Sequence, residues 1–178
     1  MRIIGLAGWS GAGKTTLLVK LIPEFTRRGL TVSTVKHAHH AFDVDEPGKD
    51  SFEHRRAGAS EVLVASGRRW ALVHELRQED EPALADLLGR LSPVDLVVVE
   101  GFKAERHPKI EVHRAANGKP FLFGAVPNVV AVAADCAIPQ ALVPVVSLDD
   151  IAAITEQALT LSRPLGDVMA DLKASRAG

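Results

Sequence analysis

Three features of this 178-residue sequence predict an α/β domain, a mostly parallel sheet flanked by helices. An apolar strand, Ile3-Ile4-Gly5-Leu6-Ala7, runs into a glycine-rich stretch and then into a helical pattern at Leu17, Leu18, Leu21, Ile22 and Phe25. Two continuous apolar runs, Leu96–Val99 and Val129–Ala134, read as strands buried on both faces, as parallel strands are. Helical patterns stand between the strand-like runs, so the two element types alternate.

In chain order, the first helix is expected from Lys14 to Arg28, with Gly29 as its left-handed cap. Leu30–Lys36 is rich in β-branched residues and predicts the second strand. A polar stretch follows from His37 to Gly48, with Pro47-Gly48 as a turn signal. Asp50-Ser51 can cap a short helix that ends at Gly58. Glu61–Ser66 and Arg69–Val73 predict an additional β-hairpin turning at Ser66-Gly67-Arg68. Leu84, Leu87, Leu88 and Leu91 place a helix over 82–91. Asp95–Gly101 is the central strand. Lys109–Arg114 alternates polar and apolar residues and is expected nearer an edge. Asn117-Gly118 is a turn, and Val129–Ala134 is a further buried strand. Ser147–Asp150 is expected to open a helix to Leu161, and a last helix spans Pro164–Arg176. The domain is expected over 1–162, with 163–178 as a C-terminal helix or tail.

Composition sets bounds. The net charge of −1 gives no drive toward nucleic acid or an anionic membrane. No apolar run approaches the roughly 20 residues that span a bilayer. The first strand follows Met1 at once, leaving no room for a signal peptide. Cys136 is the single cysteine, so no internal disulfide forms. The expectation is a cytoplasmic protein.

The chemistry lies in Gly8-Trp9-Ser10-Gly11-Ala12-Gly13-Lys14-Thr15, which fits G-x-x-x-x-G-K-[ST]. Its glycines let successive N–H groups turn onto a phosphate, and the helix behind adds its positive dipole end. Lys14 would reach the β- and γ-phosphates, and Thr15 would offer its hydroxyl to Mg²⁺. The motif predicts a P-loop NTPase fold. Such a loop needs an acid for the metal. Asp95 and Glu100 bracket one strand about 16 Å apart, at roughly 3.3 Å per residue. Ligands of open α/β sheets sit beyond the carboxyl ends of the strands, which selects Glu100. Lys14 and Glu100 are thus the candidate catalytic pair.

Lys103 can reach the phosphates or a second anion. Asp43 or Asp45 could ligate Mg²⁺ as hard oxygen donors. His37, His39 and His40 invite a transition-metal reading, but no matching ligand pair follows, so polar-loop or partner contacts are expected. Arg55, Arg56, Arg68, Arg69, Arg106 and Arg114 are candidate phosphate binders or cross-subunit contacts, and each taken singly reads first as a surface charge. The N-K-x-D guanine motif is absent. Ala134 and Asp135 end the late apolar strand, where a carboxylate can accept from guanine's N1–H and amine.

Several of these stretches together resemble the MobB family. They are Trp9–Leu17, Val35–His40, Asp43–Ser51, His54–Ala59, Val99–Lys103 and Pro108–Val112. The resemblance runs from Ile3 to about Leu161. It implies a homodimer that binds GTP with Mg²⁺ and hydrolyses it slowly. It also implies an adapter that assists the MobA guanylyltransferase in molybdopterin guanine dinucleotide synthesis, between molybdenum cofactor proteins and molybdoenzymes. By this likeness Gly11 to Thr16 hold the phosphates, and Glu100 serves the metal. Asp45 and the His37–His40 segment lie near the site. No clear water-orienting Gln or arginine finger appears, which suits slow hydrolysis.

Two other readings share the loop. A small-molecule kinase would use the same cradle, although its arginine-rich lid is hard to find here. A partner-binding protein could carry the loop as a relic.

Overall fold

The computed structural model describes residues 1–38 and 42–175. The chain opens with β1 (Arg2–Ala7), α1 (Lys14–Arg27) and β2 (Val32–Lys36). Then come α2 (Asp50–Ala57), β3 (Glu61–Ala65), β4 (Trp70–His74) and α3 (Leu84–Gly89). β5 (Leu96–Glu100), β6 (Lys109–His113), β7 (Val129–Ala134) and β8 (Val145–Ser147) follow. The chain closes with α4 (Ile151–Leu161), β9 (Arg163–Pro164) and α5 (Leu165–Ala174). Two units emerge: residues 1–37 together with the chain from 84 onward, and residues 38–83.

In the first unit the strands run β2-β5-β1-β6-β7-β8 in parallel pairs, and β9 pairs antiparallel with β1. β1 is therefore central, with β5 on one side and β6 on the other. Side chains alternate across the sheet. Ile4, Leu6, Val98, Ile110 and Val112 pack with Leu17, Leu21 and Phe25 of α1 and with Ile154 and Ala158 of α4. On the opposite face, Ile3, Val97 and Val99 pack with Leu84 and Leu88 of α3 and with Val168 and Leu172 of α5. A third small cluster joins Ala7 to Leu122 and Val129. α1 ends as expected: Gly29 takes φ 80°, and the Leu30 N–H closes on the Phe25 carbonyl at 3.2 Å.

Several expectations need correction. β6 is not near an edge; it lies between β1 and β7, and all five of its residues are buried. Its polar residues find partners inside, described below. β8 and β9 were not expected, because two or three residues carry too little periodicity to read. Asp150, not Ser147, caps α4 by accepting from the Ala153 N–H. Asp50 is the first residue of α2 rather than its cap. Within the first unit β9 pairs with β1, and α5 packs on α3.

The second unit holds α2 and the two-stranded β3–β4 hairpin. Ala65 pairs with Trp70, so the connection spans four residues, and the Ser66 N–H donates to the Arg69 carbonyl at 2.9 Å. The expected hairpin is present, one residue longer in its turn.

Candidate functional site

The glycine loop joins the end of β1 to the start of α1. Two of its glycines are dictated by space. A Cβ on Gly8 would stand 2.5 Å from the Val112 carbonyl oxygen. Gly13 holds φ 92° in the left-handed region as the N-cap of α1. It forms no side-chain cap, so the first N–H groups of the helix are left for a ligand or solvent. Ala12 is buried, and its N–H closes the loop on the Trp9 carbonyl at 3.1 Å. Ser10, Thr15 and Thr16 lie exposed along the loop and the first turn.

Lys14 folds back over the loop, donating to the Gly8 carbonyl at 2.9 Å and the Trp9 carbonyl at 3.1 Å. Partial burial holds its ammonium below the ordinary lysine range. Glu100 opposes that shift, and Lys103 and Lys36 add to it. The Thr15 hydroxyl donates to Glu100 Oε1 at 2.7 Å. Lys36 Nζ stands 3.7 Å from the same oxygen. Glu100 is buried at the carboxyl end of β5, where register sets it beside Leu6 of β1 and Lys36 of β2. Asp95 lies at the other end of that strand, accepting from the Thr31 N–H and hydroxyl. Those bonds hold its carboxyl below the usual range.

Past Glu100 the backbone is constrained. Gly101 takes φ 96°, and a Cβ there would stand 2.9 Å from the His37 Cβ. Phe102 takes φ 51°, a left-handed conformation unusual for a bulky residue. Its ring stacks on His37 at 4.7 Å between centroids. This turn brings Lys103 Nζ to 4.5 Å from the centroid of Trp9, a cation–π contact at the flank of the loop. The Trp9 indole N–H donates to the Pro120 carbonyl at 2.8 Å.

On the far side of β1 stands Arg114, one of the six arginines the sequence offers as phosphate binders or cross-subunit contacts. Ile110 and Val112 of β6 face α1, and the same alternation carries Arg114 to the helix's amino end. Arg114 Nε lies 3.2 Å from the position of a Gly13 Cβ. Arg114 Nη1 lies 3.7 Å from Asp135 Oδ2. Asp135 Oδ1 accepts from the Ala115 N–H at 2.8 Å, so one oxygen of the base-reading candidate is engaged by backbone. Ala134 is buried, and its carbonyl accepts from the Leu148 N–H. Asn117 Nδ2 reaches the Ser10 carbonyl at 3.4 Å. Strand periodicity running one step past the buried residues is the signal that sets Arg114 apart from the other five arginines.

Asp43 and Asp45 belong to the second unit. Arg55 binds Asp43 at 2.8 and 2.9 Å and Glu75 at 2.8 Å, and its Nε stands 3.4 Å from Asp45 Oδ2. The Arg55 guanidinium draws the Asp43 carboxyl below its usual range. Asp45 Oδ1 also accepts from the Ser51 hydroxyl at 2.9 Å. His39 and His40 lie outside the described residues.

The donor set suits the ligands that the loop implies. Thr15 and Glu100 offer paired hard oxygens of the kind Mg²⁺ takes. Lys14, Lys36, Lys103 and Arg114 crowd the loop, which suits a polyphosphate. Among the described residues, no group of three or more His, Cys, Asp or Glu is placed to hold a metal ion. Among them too, no helix is long and apolar enough to cross a membrane.

Residues 3–135 match the profile described as MobB, molybdopterin guanine dinucleotide synthesis protein B. The chain belongs to the MobB family. It is 48% identical over 136 residues to the molybdopterin-guanine dinucleotide biosynthesis adapter protein of Escherichia coli, covering 75% of this chain and 78% of that one. Against the protein of the same name from Haemophilus influenzae it is 46% identical over 121 residues, 66% of each chain. The crystal structure of a MobB homolog from Bacillus stearothermophilus superposes with a TM-score of 0.64 at 28% identity, covering 89% of this chain and 98% of that one. The mostly parallel sheet flanked by helices is thus shared with that MobB structure.

Proposed function

We propose that this MobB-family protein binds GTP with Mg²⁺ at residues 8–16 and hydrolyses it slowly. As a homodimer in the cytoplasm, it would serve as an adapter for the MobA guanylyltransferase in molybdopterin guanine dinucleotide synthesis. One observation carries the nucleotide reading: the Thr15 hydroxyl and the Glu100 carboxylate meet at 2.7 Å beside the cation-rich mouth of the glycine loop. The adapter role rests on the names of the relatives from Escherichia coli and Haemophilus influenzae.

The division of labour follows from position. The loop amides and the start of α1, with Lys14, Thr15 and Thr16, would hold the phosphates. Thr15 and Glu100 would hold Mg²⁺, which commonly takes one or two protein carboxylates and completes its shell with phosphate oxygens and water. When bound, the metal neutralises charge on the β- and γ-oxygens. Lys103, over Trp9, would close the flank of the site. Asp45 remains a metal candidate on the sequence and the family likeness alone; within its own unit its carboxylate is held by Ser51 and Arg55. Asp135 Oδ2 would accept from guanine while Oδ1 stays on the Ala115 amide.

The homodimer reading draws on the hairpin. A two-stranded sheet is marginal alone in water. Here β3 and β4 expose Leu63, Val64, Trp70 and Leu72, with Trp70 at 68%. Apolar surface of this kind suits a protein contact.

Calorimetric titration with GTP, GDP and ATP, with and without Mg²⁺, tests the reading. GTP should bind best and should need Mg²⁺ for full affinity. Lys14→Ala should weaken binding by about 100-fold or more, since it removes a charged contact to the phosphates. Undiminished affinity in that variant would refute the site. Phosphate release without any acceptor separates this reading from the kinase alternative.

A further inference from the structure

We infer that Arg114 is a nucleotide-binding residue, contacting the α- and β-phosphates from the side of the loop opposite the metal pair. The inference deepens the nucleotide reading above and rests on it.

The argument starts from the sheet. β1 feeds the loop, and its two neighbours deliver different chemistry to its two sides. β5 brings Glu100 to Thr15 on one side. β6 brings Arg114 to Gly13 on the other. Across β6 and β7, His113 pairs with Ala134, so the next residues, Arg114 and Asp135, stand together. The guanidinium is thereby held between the phosphate loop and the residue assigned to the base.

Electrostatics gives the placement meaning. The amino end of α1 carries partial positive charge, which disfavours a cation there. Lys14 already occupies that region, its ammonium donating to the Gly8 and Trp9 carbonyls. The partner of Arg114 is Asp135 at 3.7 Å, beyond hydrogen-bonding distance, and Asp135 Oδ1 is committed to the Ala115 amide. The fork of N–H groups is thus positioned against the loop, with donors to spare among the described residues. An anion seated on the Gly13 side would relieve the repulsion and take up those donors. Among the phosphates of a nucleoside triphosphate, the terminal one belongs with the metal pair on the β5 side. The β6 side is left to the inner phosphates, which lead toward the base.

The position makes a prediction that separates Arg114 from Glu100. A contact to inner phosphates is made equally with GTP and GDP. Titrations of the wild-type chain, Arg114→Ala and Arg114→Lys with GTP, GDP and ATP in Mg²⁺ test this. Arg114→Ala should weaken GTP and GDP by the same factor, about 10- to 100-fold, as for a lost charge-assisted bond. Arg114→Lys keeps the charge but not the fork, and should lose roughly threefold to tenfold on both. Melting temperatures without nucleotide check that each variant folds, and Arg114→Lys carries the test if Arg114→Ala does not. Unchanged affinities overturn the inference. So does a loss confined to GTP, which would place Arg114 at the terminal phosphate. A change in the GTP-to-ATP ratio also overturns it, because Arg114 would then act on the base through Asp135. Wild-type protein that binds no nucleotide removes both readings; tight wild-type binding with an indifferent Arg114 removes this one alone.

Discussion

β5 and β6 flank the same strand, one on each side of β1, and both are buried along their whole length. Yet β5 reads Leu-Val-Val-Val-Glu and β6 reads Lys-Ile-Glu-Val-His. The difference comes from what lies over them. Val97 and Val99 of β5 meet helices, whose backbone groups are already paired internally. The alternate face of β6 meets irregular chain from 105–107 and 121–127, whose amides and carbonyls need partners. Glu111 accepts from the Leu122 N–H at 2.8 Å and the Phe123 N–H at 2.9 Å. Lys109 donates to the Glu105 and Pro127 carbonyls. His113 stacks on Phe121 at 4.1 Å between centroids. Alternation along a strand therefore marks two kinds of neighbour, and exposure is only one of the ways to supply the polar kind.

The contrast can be broken by measurement. Glu111→Ala should cost about 3–5 kcal/mol in urea unfolding, because a buried and a part-buried amide lose a charged acceptor. Val98→Ala, in the apolar strand, should cost about 2 kcal/mol from lost methyl burial and a small cavity. If the apolar truncation proves the more costly, the claim that β6 is held through its polar face is wrong.

A pH series sharpens the same point. His107, just before β6, is fully buried, and neither of its ring nitrogens has a hydrogen-bond partner among the described residues. Burial pushes its pKa down to about 3, with Lys109 adding to the shift. The unfolded chain takes up a proton near pH 6.5 that the folded chain refuses until about pH 3. This group's share of stability is present above pH 6.5 and falls as pH drops, by at most about 1.4 kcal/mol per unit. His107→Leu should flatten that part of the urea-midpoint profile between pH 6.5 and 4.5. An unchanged slope would mean that the imidazole is charged inside.

The same contrast shows why some of the molecule was legible in sequence. The unbroken apolar run of β5 declared a strand buried on both faces, and its direction then chose Glu100 over Asp95 for the loop's end. The meeting of Thr15 with Glu100 follows from that one step. β6 misled, because Lys109 and Glu111 are paired with backbone far along the chain, which no local pattern reveals. Arg114 could not be told from the other five candidate arginines for the same reason: its neighbours, Gly13 and Asp135, are brought by β1 and β7. β8 and β9 are too short to announce themselves. In the second unit the hairpin was plain from its β-branched residues and Ser66-Gly67-Arg68. The Arg55 network with Asp43, Asp45 and Glu75 was not, since it spans helix, loop and strand end.

β9 has a consequence for how the chain reaches its final form. The Leu165 N–H closes on the Met1 carbonyl at 3.0 Å, Arg2 pairs with Pro164, and the Arg2 side chain reaches Ser162 across a separation of 160 residues. During synthesis the opening strand emerges long before the segment that completes its edge. Closing so large a loop is entropically slow, so that margin is sealed only after residue 165 has left the ribosome.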